Sequence, residues 1–231
     1  MLDLSGAATA LTIDFSSSYS ISINDLNLGN DTISNIEGVL GSNGNDSMTG
    51  GTNADVFGGG LGDDTLDGGD GVDTLDFSQS TSAVTFSIAA NIAAVVTVAD
   101  GLGGTDSVTN FENVTGGSAA DTLTGDDNNN VIIGNDGADT ITDGAGQDTL
   151  TGGADNDTFV INADSQNDYI YGGAGIDILD LSVETNALNI VWFYGGNSSL
   201  QSFFASATSR LYYQDVEGII AGSGNDVIRA N

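Results

Sequence analysis

Histidine, cysteine, proline and lysine are all absent from this 231-residue sequence, and its only cations are Arg210 and Arg229. Each absence closes a class of chemistry. Without cysteine and histidine there is no thiol nucleophile, no His-containing triad, no disulfide framework and no His/Cys zinc site; without lysine there is no Schiff base. Two cations against 33 acidic residues leave a formal net charge of −31. That excludes nucleic-acid binding by counterion release and repels an anionic membrane. No stretch is long and apolar enough to span a bilayer, and no basic segment precedes an apolar one at the start. The sequence therefore predicts no nucleic-acid partner and no membrane insertion. It also demands something to neutralise its charge.

What is present argues against simple acidic disorder. Disordered acidic chains are poor in aromatic and β-branched residues, whereas 39% of this chain is hydrophobic and the apolar residues are regularly spaced. Such a chain folds once its carboxylates are neutralised, most simply by divalent cations.

The spacing is that of an internal repeat. From Gly41 the chain reads GSNGNDSMT, GGTNADVFG, GGLGDDTLD and GGDGVDTLD, ending at Asp76. From Gly116 it reads GGSAADTLT, GDDNNNVII, GNDGADTIT, DGAGQDTLT and GGADNDTFV. After a two-residue slip follow ADSQNDYIY and GGAGIDILD, closing at Asp180, and a last unit, AGSGNDVIR, begins at Ala221. The eighth position is always apolar: Met48, Phe57, Leu66, Leu75, Leu123, Ile132, Ile141, Leu150, Phe159, Ile170, Leu179 and Ile228. The sixth is Asp throughout, except at Asn130. Six Gly-, Asn- and Asp-rich residues suit a turn visiting φ > 0. The three that follow suit a short strand with its middle side chain inward. Eighteen residues then complete one coil, and stacked coils form two parallel sheets joined by columns of turns.

A longer module overlies the nonapeptides. LDLS (2–5), LDFS (75–78) and LDLS (179–182) each open an alternating apolar stretch, such as Leu11, Ile13, Phe15 or Val84, Phe86, Ile88. Each stretch closes on a related phrase holding Glu37, Glu112 or Glu217, nine residues before a repeat Asp. The predicted organisation is one continuous solenoid: longer coils over 1–40, a repeat run over 41–76, longer coils over 77–115, a second run over 116–180, an aromatic-rich third module over 181–220, and the start of a further run over 221–231.

GGxGxDxUx resembles the nonapeptide of the RTX, or hemolysin-type calcium-binding, family; GGLGDDTLD and GGDGVDTLD carry the likeness most strongly. The resemblance implies an all-β fold, a right-handed parallel β-roll or β-solenoid with several Ca²⁺ ions between neighbouring turns. It implies type I secretion and folding outside the cell. It implies no particular activity, since the repeats occur in toxins, proteases, lipases, adhesins and surface-layer proteins alike.

Ca²⁺ takes six to eight oxygens, and a glycine-rich turn offers carbonyls beside the sixth-position carboxylate. Stacking every eighteen residues pairs Asp46 with Asp64 and Asp55 with Asp73. In the second run it pairs Asp121 with Asp139, Asp139 with Asp157, Asp157 with Asp177, and Asp148 with Asp168. Asp226 holds the sixth position of the last unit. GNDTI and GTDSV add half-sites at Asp31 and Asp106, whereas SRLYY places Leu211 at the equivalent point of the third module. Asn130 removes a charge from the site it would share with Asp148, and the turn before Asp168 lacks its glycines.

Paired carboxylates such as Asp63–Asp64 and Asp126–Asp127 lack any further catalytic group to complete a site, so no enzymatic activity is expected. Outward TxT triplets break off at Val131–Ile133 and Tyr169–Tyr171, consistent with β-propensity rather than an ice-binding rank. Seven aromatics, Trp192, Phe193, Tyr194, Phe203, Phe204, Tyr212 and Tyr213, crowd the third module, as core fillers of a wider coil or as a contact surface. The functional expectation is a secreted structural or adhesive protein. The alternative is an accessory export and folding module of a larger enzyme or toxin. Because the sequence stops in mid-module and starts on a phrase that elsewhere follows such coils, head-to-tail self-association into a filament is a further expectation; its alternative is a piece cut from one long polypeptide, whose neighbouring coils are covalent.

Overall fold

In the computed structural model the described residues are 1–15, 20–25, 29–34, 36–88, 96–162, 164, 166–185, 189–192, 201–204, 210–223 and 226–230. The chain divides into two compact units, Met1–Gly117 and Ser118–Asn231.

The strands of the first unit are β1 (Leu2–Asp3), β2 (Thr12–Asp14), β3 (Ser20–Asp25), β4 (Gly29–Ser34), β5 (Gly38–Leu40), β6 (Ser47–Thr49), β7 (Val56–Gly58), β8 (Thr65–Asp67), β9 (Thr74–Asp76), β10 (Thr85–Ser87), β11 (Val96–Val98), β12 (Asp106–Thr109) and β13 (Asn113–Thr115). One sheet stacks β1, β5, β7, β9 and β13 in parallel, so Leu2, Val39, Phe57, Leu75 and Val114 fall in register. The other stacks β2, β6, β8 and β12 in parallel, aligning Ile13, Met48, Leu66 and Val108. From Val39 to Val114 and from Ile13 to Val108 these side chains are essentially solvent-free. Phe57 joins the columns by packing on Phe15 and Phe111.

The second unit continues with β14 (Thr122–Thr124), β15 (Val131–Asp136), β16 (Thr140–Thr142), β17 (Thr149–Ala154), β18 (Thr158–Val160), β19 (Asp168–Ala174), β20 (Ile178–Asp180), β21 (Asn189–Trp192), β22 (Gln201–Phe204), β23 (Arg210–Gln214), β24 (Gly218–Ile220) and β25 (Val227–Ala230). Leu123, Ile141, Phe159, Leu179 and Ile219 form one column, and Ile132, Leu150, Ile170 and Tyr213 the other. The architecture is thus a parallel two-sheet β-roll built of eighteen-residue coils, the middle residue of each three-residue strand turned inward.

The longer modules are coils of the same stack. Leu66 pairs onward with Val108 and Ile170 with Tyr213, so more than forty residues replace eighteen without loss of register. Part of the extra chain folds back on itself. β3 and β4 form an antiparallel hairpin, β11 runs antiparallel to β12, and β21, β22 and β23 form an antiparallel meander. Hydrogen-bonding onto itself satisfies backbone groups that the next coil does not reach. In the aromatic-rich module, Tyr213 fills the core and Tyr212 stacks outside on Tyr169 at 5.0 Å. Phe193 and Tyr194 lie outside the described residues.

Candidate metal sites

The consensus glycines have two separate causes. The second and fourth positions adopt positive φ, as at Gly60 and Gly62 (92° and 123°) or Gly144 and Gly146 (99° and 110°), which side chains disfavour. The first position is a question of space. A Cβ on Gly134 would meet Asp139 Oδ2 and, at 2.8 Å, the Gly152 carbonyl oxygen; one on Gly152 would meet Asp157 Oδ2 and, at 2.7 Å, the Gly172 carbonyl oxygen. A carboxylate oxygen of one coil and a carbonyl of the next therefore converge over these first glycines, as they do over Gly41 and Gly50.

The sixth-position carboxylates form ladders. The Asp46 N–H donates to Asp64 Oδ1 (2.7 Å) and the Asp64 N–H to Asp106 Oδ1 (2.9 Å). On the other side of that unit, the Asp55 N–H donates to Asp73 Oδ1 (2.8 Å). In the second unit the N–H of Asp121 reaches Asp139, that of Asp139 reaches Asp157, and that of Asp157 reaches Asp177. Opposite, Asn130 donates to Asp148 and Asp148 to Asp168. One oxygen of each upper carboxylate is thus committed to stacking. The other, Oδ2, is buried without a partner at Asp64, Asp73, Asp139, Asp148, Asp157 and Asp177.

An orphaned buried carboxylate oxygen costs free energy, so these six positions call for a cation. Burial pushes the Asp139, Asp148 and Asp73 carboxyls up to about 7, opposed by the accepted N–H and reinforced by neighbouring carboxylates. Asp106 reaches about 7, and Asp64, Asp157 and Asp168 about 6, with burial again the leading cause. Among the described residues no three carboxylates gather closely enough to hold an ion by side chains alone. Backbone carbonyls must complete each shell. An all-oxygen set of carboxylate and carbonyl donors suits a hard cation such as Ca²⁺.

The first members of the columns differ. Asp46 accepts from the Leu11 and Ser42 N–H groups (2.7 and 2.6 Å) and the Ser42 hydroxyl, and Asp55 Oδ2 accepts from Gly51 (2.9 Å). Asp121 is buried at the foot of its column. Asp168, despite its glycine-poor turn, is buried and stacks on Leu211, where the column of carboxylates stops. The backbone of Asp31 lies in β4, opposite Ile23 across the hairpin; its side chain lies outside the described part of the structure. Asp226 is half-buried at the foot of β25, which pairs with β21.

Asn130 has no orphaned oxygen. Its Oδ1 accepts from the Asp126 N–H (2.9 Å) and its Nδ2 donates to Asp126 Oδ1 (3.1 Å). Asn130→Asp removes that donor and sets a carboxylate beside Asp126 and under the Asp143 carbonyl. The metal-free variant should lose about 1–3 kcal/mol of stability, while native mass spectrometry in calcium should count one more ion. An unchanged count would show that this turn is no metal position.

Sequence reasoning missed Asp143, which stands where most repeats have their first glycine. It is buried, accepts from Asn162 and Gly144, and is pushed up to about 8, chiefly by burial, with Asp168 and Asp148 adding to the effect. An acidic residue at a glycine position was the available signal. Also missed was an outer ladder in which the fifth-position side chains of Asn45, Asn129 and Asn156 accept an N–H from the next coil.

A parallel roll whose turns carry columns of half-satisfied carboxylates over glycine cradles defines a metal-stabilised repeat protein. The RTX calcium-binding nonapeptide repeat matches residues 40–75, 111–141, 124–159, 160–180 and 219–231, just over half the sequence, and the chain belongs to that family. Its repeats bind calcium. No curated protein matches the chain as a relative. Among solved structures, it is similar to the extracellular lipase LipA from Serratia marcescens at 21% identity, over 83% of this chain and 40% of the lipase, with a TM-score of 0.21. The chain thus spans less than half the length of that enzyme.

Proposed function

We propose that the chain is a secreted, calcium-folded structural element, a building block of a surface layer, adhesin or filament rather than an enzyme. The observation that carries this reading is the columns of buried carboxylates, six of which spend one oxygen on the neighbouring coil and offer the other to an ion. Carboxylates so committed serve coil stacking. Extracellular calcium fills such sites where a cell's interior does not, which ties folding to export. Self-association belongs to the same reading: coils stack within the chain by parallel pairing, as β1 does on β5, and the same pairing at a strand edge extends a sheet from one copy to the next.

Labelling of intact source cells and their medium tests the location. The protein should be found outside and resist protease until calcium is chelated; retention in the cytoplasm would overturn the proposal. Light scattering and electron microscopy of the purified chain test assembly. Growth on adding calcium is expected, and monodisperse monomers at high concentration would remove the filament.

A further inference from the structure

We propose that Asn110-Phe111-Glu112 and Asp215-Val216-Glu217 are closing turns, each completing a calcium site with the last aspartate of the run beneath it, Asp73 and Asp177. The inference rests on the calcium-folded reading and deepens it. The nonapeptide consensus contains no glutamate, yet both glutamates occupy the next rung of a column. The Asp73 N–H donates to Glu112 Oε2 and the Asp177 N–H to Glu217 Oε2, each at 2.8 Å. The corresponding bond within a run, from the Asp55 N–H to Asp73, is also 2.8 Å.

The backbone repeats the imitation. Where a first glycine inside a run faces the carbonyl of the next coil's first glycine, Gly68 faces the Asn110 carbonyl oxygen and Gly172 faces the Asp215 carbonyl oxygen. On the same side of those glycines lie Asp73 Oδ2 and Asp177 Oδ2, both buried and without a partner. Asn110 and Asp215 share a left-handed backbone, φ 58° and 52°. The N–H groups of Glu112 and Asn113 both donate to the Asp73 carbonyl, and those of Glu217 and Gly218 to the Asp177 carbonyl. The middle residue, Phe111 or Val216, is buried and anchors the turn from inside.

Side-chain length explains the change of residue. In a repeat the carbonyl-bearing glycine and the aspartate are five positions apart, as in Gly68 and Asp73. In the closing turn the separation is two, and the extra methylene of glutamate spans the shortened backbone. A long coil can thus end a calcium column without spending a nonapeptide on it. The chemistry is that of the repeat sites: one orphaned carboxylate oxygen, one carbonyl and a second carboxylate, which suits a hard divalent cation.

Native mass spectrometry of wild type, Glu112→Gln, Glu217→Gln and the double variant, with calcium alone as the probe, tests this. Glutamine keeps an oxygen to accept the N–H and removes the charge. Each substitution should cost one bound ion, or weaken one at least tenfold, leaving the remainder unchanged. If calcium folds all four proteins and their counts and affinities agree, the closing turns are structural caps only and the proposal fails. If the wild type binds no calcium, the underlying reading fails first. Infrared spectroscopy of wild type carrying ¹³C-labelled glutamate requires no variant. Its labelled carboxylate band should shift on adding calcium, and a silent band would overturn the proposal.

Discussion

Stripped of calcium at neutral pH, the chain should lose most of its β-structure, and calcium should restore it cooperatively at sub-millimolar to millimolar concentration. The sites supply the reason. Burial moves the carboxyls of Asp73, Asp106, Asp139 and Asp148 from 3.8 up to about 7, so each opposes folding while it is ionised. The net stability of an ordinary domain is only about 5–15 kcal/mol, and several such groups weigh against it at once. A net charge of −31 adds repulsion throughout. Calcium removes both penalties together, and because each ladder links successive coils, filling one site orders the next. Circular dichroism during a calcium titration would show this, and a full β signal in calcium-free buffer at pH 7.5 would end the idea.

The same groups set the pH dependence. Their folded values lie above the ordinary carboxylate value, so between about pH 4 and 7 the folded state holds more protons than the unfolded one. Their contribution to metal-free stability is therefore present in acid and disappears as pH rises through about 7. Calcium competes with those protons, so affinity runs the opposite way. Lowering the pH from 8 to 5 should raise the calcium midpoint at least tenfold, while the metal-free chain retains more β-structure at pH 5 than at pH 8. Identical midpoints at the two values would contradict the burial of these carboxylates.

The nonapeptide period carried the fold into view because its signal is redundant. Every unit repeats an inward residue and a carboxylate, so the columns through Leu150 and Phe159 and the ladder through Asp139 follow from counting eighteen. Even the break at Leu211 was legible, since it takes the place of an aspartate in an otherwise matching phrase. The long coils were legible only as coils. Alternation over Leu11, Ile13 and Phe15 marks an inward face but is silent about strand direction. The β3–β4 hairpin and the β21–β22–β23 meander therefore stayed hidden. Glu112 and Glu217 were visible as a recurring phrase, but their place on the ladder depends on a shortened backbone that no periodicity encodes.

The first-position glycines offer the sharpest substitution. Gly152→Ala changes one hydrogen to a methyl, and on an ordinary exposed turn that costs little or even stabilises by reducing unfolded-state entropy. Here the added Cβ would press on Asp157 Oδ2 and lie 2.7 Å from the Gly172 carbonyl oxygen. Both are the oxygens offered to the ion, so the methyl obstructs coil stacking and metal binding at once. Neither atom is the free end of a flexible chain: the carbonyl belongs to β19, and Asp157 is held through Oδ1 by its own N–H-bonded ladder neighbour. The variant should need at least tenfold more calcium for half-maximal folding and bind one ion fewer at saturation. Gly6→Ala is the control, because nothing lies within 4 Å of a Cβ built there, and its calcium titration should overlay the wild type. Overlapping curves for Gly152→Ala and Gly6→Ala would mean that the space over the first glycine holds no ion, and the assignment of the columns as calcium sites would have to be abandoned.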